Sequence, residues 1–168
     1  KGVPLLNGPT EFTEIHPIPV KFTSEPTKIC KTNDLLICVR GSTTGKMNWA
    51  DQPYCIGRGL AAITPKNPQF NMDLLYYFLN QKTSEILLRT TGSTFPNLSQ
   101  DKLKSFPYPF ASTQEQLQIL KEIEHRISKF DKISKLLSSV EENQKEYSRY
   151  LDSIQKSVLD SAFSGKLI

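Results

Sequence analysis

The feature that most constrains this fold is a run of about fifty residues, from 113 to 164, that contains neither proline nor glycine. Apolar side chains recur three and four positions apart along it, which is the spacing of one face of an α-helix. The segment Ser112-Thr-Gln-Glu115 precedes the first apolar residue of this run, and it has the capping-box pattern of a helix start. The sequence therefore predicts one long helix over residues 113–168, on the order of 75 Å in length.

The apolar stripe of this helix is too long for its own chain to cover. The preceding head, if compact, is only about 26–30 Å across, so most of the stripe needs a second helix from the same polypeptide or from another one. A phase shift between Phe130 and Ile133 means that the seam is not an ideal left-handed coiled coil. The residues expected at this helix interface are Leu120, Ile123, Ile127, Phe130, Leu137, Val140, Tyr147, Leu151, Ile154 and Val158.

Residues 1–112 differ from the long helix in composition: they hold all the prolines and every glycine except Gly165. Short apolar runs predict a buried strand over 34–40 and a second strand over 54–63, bent or bulged at Gly57 and Gly59. Helical spacing predicts a helix over 72–88 with Asn71 as its N-cap, and a short helix over 99–104. The head is therefore expected to be an α+β (mixed α/β) domain. The abrupt start of the chain also suggests that the domain is N-terminally incomplete.

The cysteines indicate a reducing compartment, so we expect a cytoplasmic protein. Cys30, Cys38 and Cys55 are an odd number and widely spaced, which argues against a disulfide framework. They form no Cys-x-x-Cys pair, whereas structural zinc needs four ligands, usually in two tight pairs. We expect no metal site and expect these cysteines to be small buried hydrophobes. The sequence also contains no apolar run long enough to cross a membrane.

The positive charge of the chain lies entirely in the head. Residues 1–112 hold twelve Lys/Arg and eight Asp/Glu, whereas residues 113–168 hold nine of each, so the net charge of +4 belongs to the head. Between residues 35 and 72, four basic side chains stand against Asp51 alone. Such a region suits a polyanion.

Two polar loops and one arginine are the predicted DNA-binding positions. They carry cations, hydroxyls, amides and one aromatic ring, which are the groups that contact phosphates and base edges. The structural alternative is a solvated loop with Trp49 packed into the core. The predicted contacts are Arg40, Ser42, Thr43, Thr44, Lys46, Asn48, Trp49, Arg58, Arg89, Thr91, Ser93, Thr94 and Asn97.

No motif predicts catalysis. The segment from Gly41 to Lys46 has only three residues between its glycines, and Met47 follows the lysine, whereas a phosphate-binding P-loop needs four residues and then Ser or Thr. The chain also lacks a glycine-rich methyltransferase loop, an Asn/Asp-Pro-Pro-aromatic site and the carboxylate cluster of a metal nuclease. We therefore expect a chain that is not an enzyme.

The order of the motifs resembles the specificity subunits of type I restriction–modification systems. The resemblance covers nearly the whole chain, and its most specific parts are the proline-rich turn into a Glu-Gln helix start and the Ala-Phe-x-Gly-Lys-Leu ending. The segments that carry it are Gly2-Val-Pro-Leu-Leu6, Asn33-Asp-Leu-Leu-Ile-Cys-Val-Arg-Gly41 with Thr44-Gly45, Thr91-Gly-Ser-Thr-Phe-Pro-Asn-Leu-Ser99, Phe106-Pro-Tyr-Pro-Phe110 with Gln114-Glu-Gln and Ile119, and Ser157-Val-Leu-Asp-Ser-Ala-Phe-Ser-Gly-Lys-Leu167.

The resemblance implies a division of labour between subunits. It implies that residues 1–112 are a target recognition domain for one half of a bipartite site in double-stranded DNA. It also implies that residues 113–168 form an antiparallel coiled coil with a helix of the same subunit or of a homodimer mate. Methylation and cleavage, with the S-adenosylmethionine, magnesium and ATP sites, would then belong to separate modification and restriction subunits. The usual subunit has two recognition domains and two helices, so this chain corresponds to one half.

Two other functions fit parts of the sequence. A coiled-coil adaptor with a protein-binding head would use the same long helix, but its affinity for a partner would not fall with salt. A nucleotide-binding enzyme would show a higher melting temperature with ATP, and we expect no such shift.

Overall fold

The computed structural model describes residues 2–88, 90 and 96–163, with side chains up to residue 159. Its contacts divide the chain into two compact units, Lys1–Leu120 and Lys121–Ile168. The first unit holds the strands and short helices, and the second consists of the continuation of one long helix. The predicted α+β head followed by a long helix is confirmed.

The head contains two three-stranded sheets. In the first, β1 (Val3–Leu6) pairs with β2 (Lys21–Thr23) in antiparallel fashion and with β5 (Cys55–Ile56) in parallel. In the second, β3 (Leu35–Cys38) lies between β4 (Met47–Trp49) and β6 (Leu60–Ile63), and all pairs are antiparallel. All four residues of β3 are buried, so the predicted strand over 34–40 is confirmed in a shorter form.

The prediction of a single bent strand over 54–63 is wrong. The chain forms β5 and β6 instead, and these strands belong to different sheets. The turn between them contacts Asn7: a Cβ at Gly57 would lie 3.0 Å from the Asn7 side chain, and one at Gly59 would lie 2.9 Å from the Asn7 carbonyl oxygen. The two glycines therefore do more than bend a strand, because they let the backbone approach the end of β1 while it passes between sheets.

The helices of the head lie close to where the spacing predicts them. The predicted helix over 72–88 is divided at Lys82 into α1 (Met72–Gln81) and α2 (Thr83–Leu88). The Asn71 side chain accepts the Leu74 N–H at 2.9 Å, which confirms the predicted N-cap. At the break, the Thr83 hydroxyl donates to the Asn80 carbonyl at 2.7 Å. The short helix α3 (Gln100–Lys104) has Ser99 as its N-cap.

Two clusters of buried side chains form the core. One joins the two sheets and includes Leu6, Leu36 and Tyr54, all fully buried. The other lies between the second sheet and the helices and includes Leu35, Ile37 and Ile86. The alternation of β3 explains the two clusters, because successive side chains of a strand point to opposite faces.

The cysteines belong to this core. Cys30, Cys38 and Cys55 are all free and buried, with at most 3% of each residue exposed. Burial raises the pKa of the Cys30 thiol, because desolvation disfavours the thiolate. The prediction that they are small buried hydrophobes is therefore confirmed.

The long helix α4 (Thr113–Phe163) begins at the predicted capping box. The Glu115 N–H donates to the Ser112 hydroxyl, and the Ser112 N–H and hydroxyl donate to the Glu115 carboxylate. These hydrogen bonds lower the pKa of Glu115, because they favour its charged form.

Gln116 fixes the first turns of α4 within the head unit. Its side chain is 2% exposed; the amide oxygen accepts the Asn71 N–H at 2.9 Å and the amide nitrogen donates to the Ala111 carbonyl at 2.8 Å. The head was predicted to end at residue 112, whereas the compact unit extends to Leu120. The first eight residues of the helix are thus part of the head.

The rest of α4 exposes its apolar stripe. All residues from 124 to 159 are exposed, including Phe130 at 76% and Leu151 at 65%. Among the described residues, no helix is long and apolar enough to span a membrane.

We predict that Gln116→Ala lowers the free energy of unfolding by about 1–3 kcal/mol, because it leaves the partly buried Asn71 N–H and Ala111 carbonyl without their partner. The matched control is Gln118→Ala at an exposed position of the same helix, with an expected change within about 0.5 kcal/mol. Urea unfolding of both variants measures the difference. Equal stabilities of the two variants would contradict the stabilising role of the Gln116 hydrogen bonds.

Candidate nucleic-acid interface

The loop between β3 and β4 is a tight hairpin that is closed by backbone hydrogen bonds. The Cys38 N–H donates to the Lys46 carbonyl and the Gly45 N–H to the Cys38 carbonyl, both at 2.8 Å. Gly41 and Gly45 adopt φ angles of +85° and +94°, a region that side-chain-bearing residues rarely occupy. Sequence analysis predicted a turn here, and the two glycines close it.

Backbone hydrogen bonds join this hairpin to the second polar loop. The Gly41 N–H donates to the Pro96 carbonyl and the Leu98 N–H to the Val39 carbonyl, both at 2.9 Å. Between these bonds, Arg40 and Asn97 form an antiparallel bridge. Residues from two separate polar segments, both predicted to bind DNA, thus lie side by side.

The turn that carries Arg58 is bonded to the same part of the chain. The Val39 N–H donates to the Gly59 carbonyl at 2.8 Å, just beyond the last pair of β3 and β6, Cys38 with Leu60. This bond brings the turn beside the chain at Arg40. We call Arg40, Arg58 and Asn97 the polar edge. Both arginines are exposed, and Asn97 is half-buried.

Ser42, Thr43 and Lys46 line a groove next to the hairpin. The groove has a volume of about 470 Å³, and α1, α2 and residues near Phe12 form its other walls. Ser42 and Lys46 are exposed, and Thr43 is half-buried with its hydroxyl 3.4 Å from the Cys38 sulfur. Lys46 is the single charged side chain among the described lining residues. We call this space the hairpin groove.

Thr44 and Asn48 require a correction, because the structure buries both. Thr44 is 4% exposed, and its hydroxyl donates to the Gly41 carbonyl at 2.7 Å. Asn48 is 2% exposed, and its side-chain nitrogen donates to the Thr13 carbonyl at 2.8 Å. Neither side chain is accessible to DNA in this conformation. Their predicted role as direct contacts is therefore wrong, and they hold the hairpin and the segment near Thr13 in place.

Trp49 also lies apart from the hairpin groove. It ends β4 and packs partly buried against the core cluster of the helices, with its ring centroid 6.1 Å from that of Tyr76. It lines a different pocket, together with His16 and Asp34. The structural alternative, in which Trp49 packs into the core, thus describes this side chain better than a groove contact does.

Four predicted positions, Arg89, Thr91, Ser93 and Thr94, lie outside the described residues. Sequence reasoning also missed groove residues on the helices: Tyr76, Asn80 and Thr83 line the groove together with the hairpin. Asn80 is a polar interruption between Leu79 and the end of α1. That signal alone does not distinguish a functional amide from a solvated one.

The hairpin does not have the architecture of a P-loop. Strand β4 follows Lys46, whereas a P-loop leads into a helix whose N-terminus binds the phosphates. In the part of the chain that the structure describes, no group of three His, Cys, Asp or Glu side chains is placed to hold a metal ion.

Comparison with known proteins shows which family the chain belongs to. Residues 21–145 match the sequence profile of a family described as the type I restriction modification DNA specificity domain. The chain belongs to this family. The match covers the hairpin between β3 and β4, the polar edge and α4 as far as residue 145, and it gives no support to the adaptor alternative.

Individual relatives agree with this assignment. The specificity domain is 28% identical, over 99% of its length, to a putative type I restriction enzyme MjaX specificity subunit of Methanocaldococcus jannaschii. It covers 36% of that protein. The chain therefore spans about one third of the length of the relative that it matches.

Solved structures share the fold. The HsdS subunit from Thermoanaerobacter tengcongensis matches 76% of the chain with a TM-score of 0.64 and 29% identity, and 31% of that subunit is covered. A chain from a structural study of complex assembly and conformational transition of the type I R-M system matches 96% of the specificity domain, with a TM-score of 0.60 and 28% identity. The specificity domain covers 38% of that chain.

We predict that Gly45→Ala destabilises the head by about 1–2 kcal/mol, because a side chain at a left-handed φ is strained. Its Cβ would also lie 3.4 Å from the Thr83 side chain. Gly8→Ala is the matched control, since an added Cβ there meets nothing within 4 Å. Thermal unfolding of both variants tests this, and equal melting temperatures would show that the hairpin does not need the left-handed turn.

Proposed function

We propose that the head binds duplex DNA sequence-specifically and reads one half of a bipartite target. The observation that carries this proposal is the backbone junction that brings Arg40, Arg58 and Asn97 together beside the hairpin groove. Arginine side chains at one edge suit phosphates, which position a protein on DNA, whereas hydroxyls and amides suit base edges. The family assignment supports the same reading.

The charges of the polar edge are available for a polyanion. Neither arginine of the edge nor Lys46 forms an ion pair with a described residue; the ion pairs among those residues are Lys82–Glu85 and Arg126–Glu122. Cations without an acidic partner are the ones that can displace counterions from DNA. The hydroxyls of Ser42 and Thr43 lie in the adjacent hairpin groove, where they can meet base edges.

We further propose that α4 pairs with a second long helix as an antiparallel coiled coil. The partner is the second helix of the same subunit or that of a homodimer mate. From Ile133 onward the apolar residues alternate in steps of four and three, through Leu137 and Val140 to Val158, which is the heptad spacing. Gln144 occupies the one polar position of this series.

The pairing gives the helix a mechanical role. A stiff helical pair of tens of ångströms can hold two recognition heads about one turn of B-DNA apart, because the duplex repeats about every 34 Å. Its length then sets the spacing between the two halves of the target. The earlier step of three between Phe130 and Ile133 locally overwinds such a coil.

Chemistry on DNA is proposed to lie in partner subunits. The specificity domain would dock modification subunits, which methylate the target, and would recruit the restriction subunit. S-adenosylmethionine, magnesium and ATP would be bound by those partners in the cytoplasm. Methylome sequencing of a host that carries the system identifies the target through the modified sequence.

Salt dependence tests the phosphate contacts. We expect Arg40→Ala and Lys46→Ala each to weaken DNA binding and to reduce the slope of log K against log salt by about 1, because each lost phosphate contact releases one counterion fewer. Lys31→Ala is the control, since this exposed lysine does not line the hairpin groove. If Arg40→Ala and Lys46→Ala both leave the affinity, the salt slope and the preferred site unchanged, the assignment of these residues to DNA contact is refuted.

Self-association tests the helix interface. In a solution of this chain alone, a second copy offers the only other long helix, so we expect dimers. Leu137→Asp should shift the equilibrium strongly towards monomer, because it places a charge in the heptad seam. Ser138→Asp, one position outside the seam, should leave it unchanged. Sedimentation equilibrium measures the fraction of dimer in the two variants. A wild-type chain that is monomeric at all concentrations would argue against helix pairing through this seam.

A further inference from the structure

The hairpin groove contains an amide that the sequence analysis did not assign. Asn80 lies in the last turn of α1, is exposed, and lines the groove together with Ser42 and Lys46. Its backbone carbonyl accepts the Thr83 hydroxyl at 2.7 Å, but its side-chain amide has no hydrogen-bond partner among the described residues. The amide therefore retains both its donor and its acceptor for an external ligand.

Six of the described polar residues that line the groove fall into two groups, to which Thr43, with its hydroxyl 3.4 Å from the Cys38 sulfur, and Tyr76 do not belong. Thr13, Thr44 and Thr83 have hydroxyls that donate to backbone carbonyls of this chain. Ser42, Lys46 and Asn80 have side chains that bond to no described residue. The first group is committed to holding the walls together. The second group provides a hydroxyl, an ammonium and an amide directed to one open space of about 470 Å³.

The walls of the groove hold Asn80 in position. Thr83 follows the break between α1 and α2, and its methyl group lies 3.4 Å from where a Cβ at Gly45 would be. Leu79, the neighbour of Asn80 in α1, is 2% exposed. The backbone of Asn80 is thus anchored beside the core and next to the hairpin, which leaves only the side-chain rotamer to be fixed on binding. Such preorganisation favours selective recognition.

We infer that Asn80 is a specificity-determining residue that reads an adenine of the DNA target. An asparagine amide matches the donor and acceptor that adenine presents in the major groove, N6–H and N7, with two parallel hydrogen bonds. Lys46, which lines the same groove, then contacts a phosphate, and Ser42 supplies a further hydrogen bond. This inference rests on the proposed DNA recognition and assigns one base position of the half-site to α1.

The assay is selection of bound duplexes from a randomised library by the intact specificity subunit assembled with its modification subunits. The wild type defines the half-site. We expect Asn80→Ala to lose about 5- to 150-fold discrimination at one A·T position, which is the range for one bidentate base contact. Affinity for non-target DNA should change less than about twofold, since phosphate contacts supply it.

Two further variants separate this role from a structural one. Asn80→Asp keeps the shape but cannot donate to adenine N7, so it should also lose the A·T preference with an unchanged melting temperature. Gln81→Ala, at the exposed end of the same helix and outside the groove lining, should retain the wild-type site. Arg40→Ala should weaken binding to all sequences without changing the preferred base.

The outcomes distinguish the inference from the proposed function. If Asn80→Ala and Asn80→Asp select the same half-site as the wild type, the role of Asn80 is overturned while DNA recognition by the head stands. If the wild type selects no sequence at all, the proposed function and this inference fall together. One further outcome overturns the inference. In it, Asn80→Ala loses the preference because it unfolds, whereas Asn80→Asp stays folded and keeps the preference.

Discussion

The proposed interface depends on four backbone hydrogen bonds around the end of β3. Val39 donates to the Gly59 carbonyl and accepts the Leu98 N–H, and Gly41 donates to the Pro96 carbonyl. The fourth, from Gly45 to the Cys38 carbonyl, closes the hairpin. Without these bonds, the polar residues near positions 40, 58 and 97 would be separate surface loops. With them, the chain that follows a fully buried strand is bonded to both other segments.

The two units of the chain differ in which side chains they bury. The head unit buries Gln116 of the first turns of α4. This residue is 2% exposed, and both the oxygen and the nitrogen of its side-chain amide form hydrogen bonds. The helix beyond it leaves its apolar side chains exposed over several heptads. A buried, satisfied amide holds the first turns of α4 in the head unit, whereas an exposed apolar seam requires another helix. This contrast supports a recognition head mounted on an assembly platform.

Features set by local chemistry were predictable from sequence. The capping box at Ser112, the N-cap at Asn71 and the buried strand before Gly41 depend on residues within a few positions of one another. The division of residues 54–63 between two sheets was not predictable, because it depends on the close approach of Asn7, about fifty positions away. The helix break at Lys82 also escaped prediction, since the apolar spacing continues across it.

The candidate site shows the same limit. Residue type drew attention to the hairpin, but it could not separate Ser42 and Lys46, which are exposed, from Thr44 and Asn48, which are buried. Successive side chains of a strand point to opposite faces, so in β4 Asn48 lies on the face opposite to Met47 and Trp49. A strand of three residues is too short for this alternation to be recognised in the sequence. Asn80 joins the groove only through tertiary packing of α1 against the hairpin.

The central claim, that the hairpin groove and the polar edge face the duplex, is tested most directly by site-specific photocrosslinking. A photoreactive side chain at position 42 should crosslink to target DNA in the assembled complex, and more weakly to a duplex with an altered half-site. The same group at position 31, an exposed position outside the groove, should not crosslink. Crosslinks from position 31 but none from position 42 would place the DNA on another face and contradict the account.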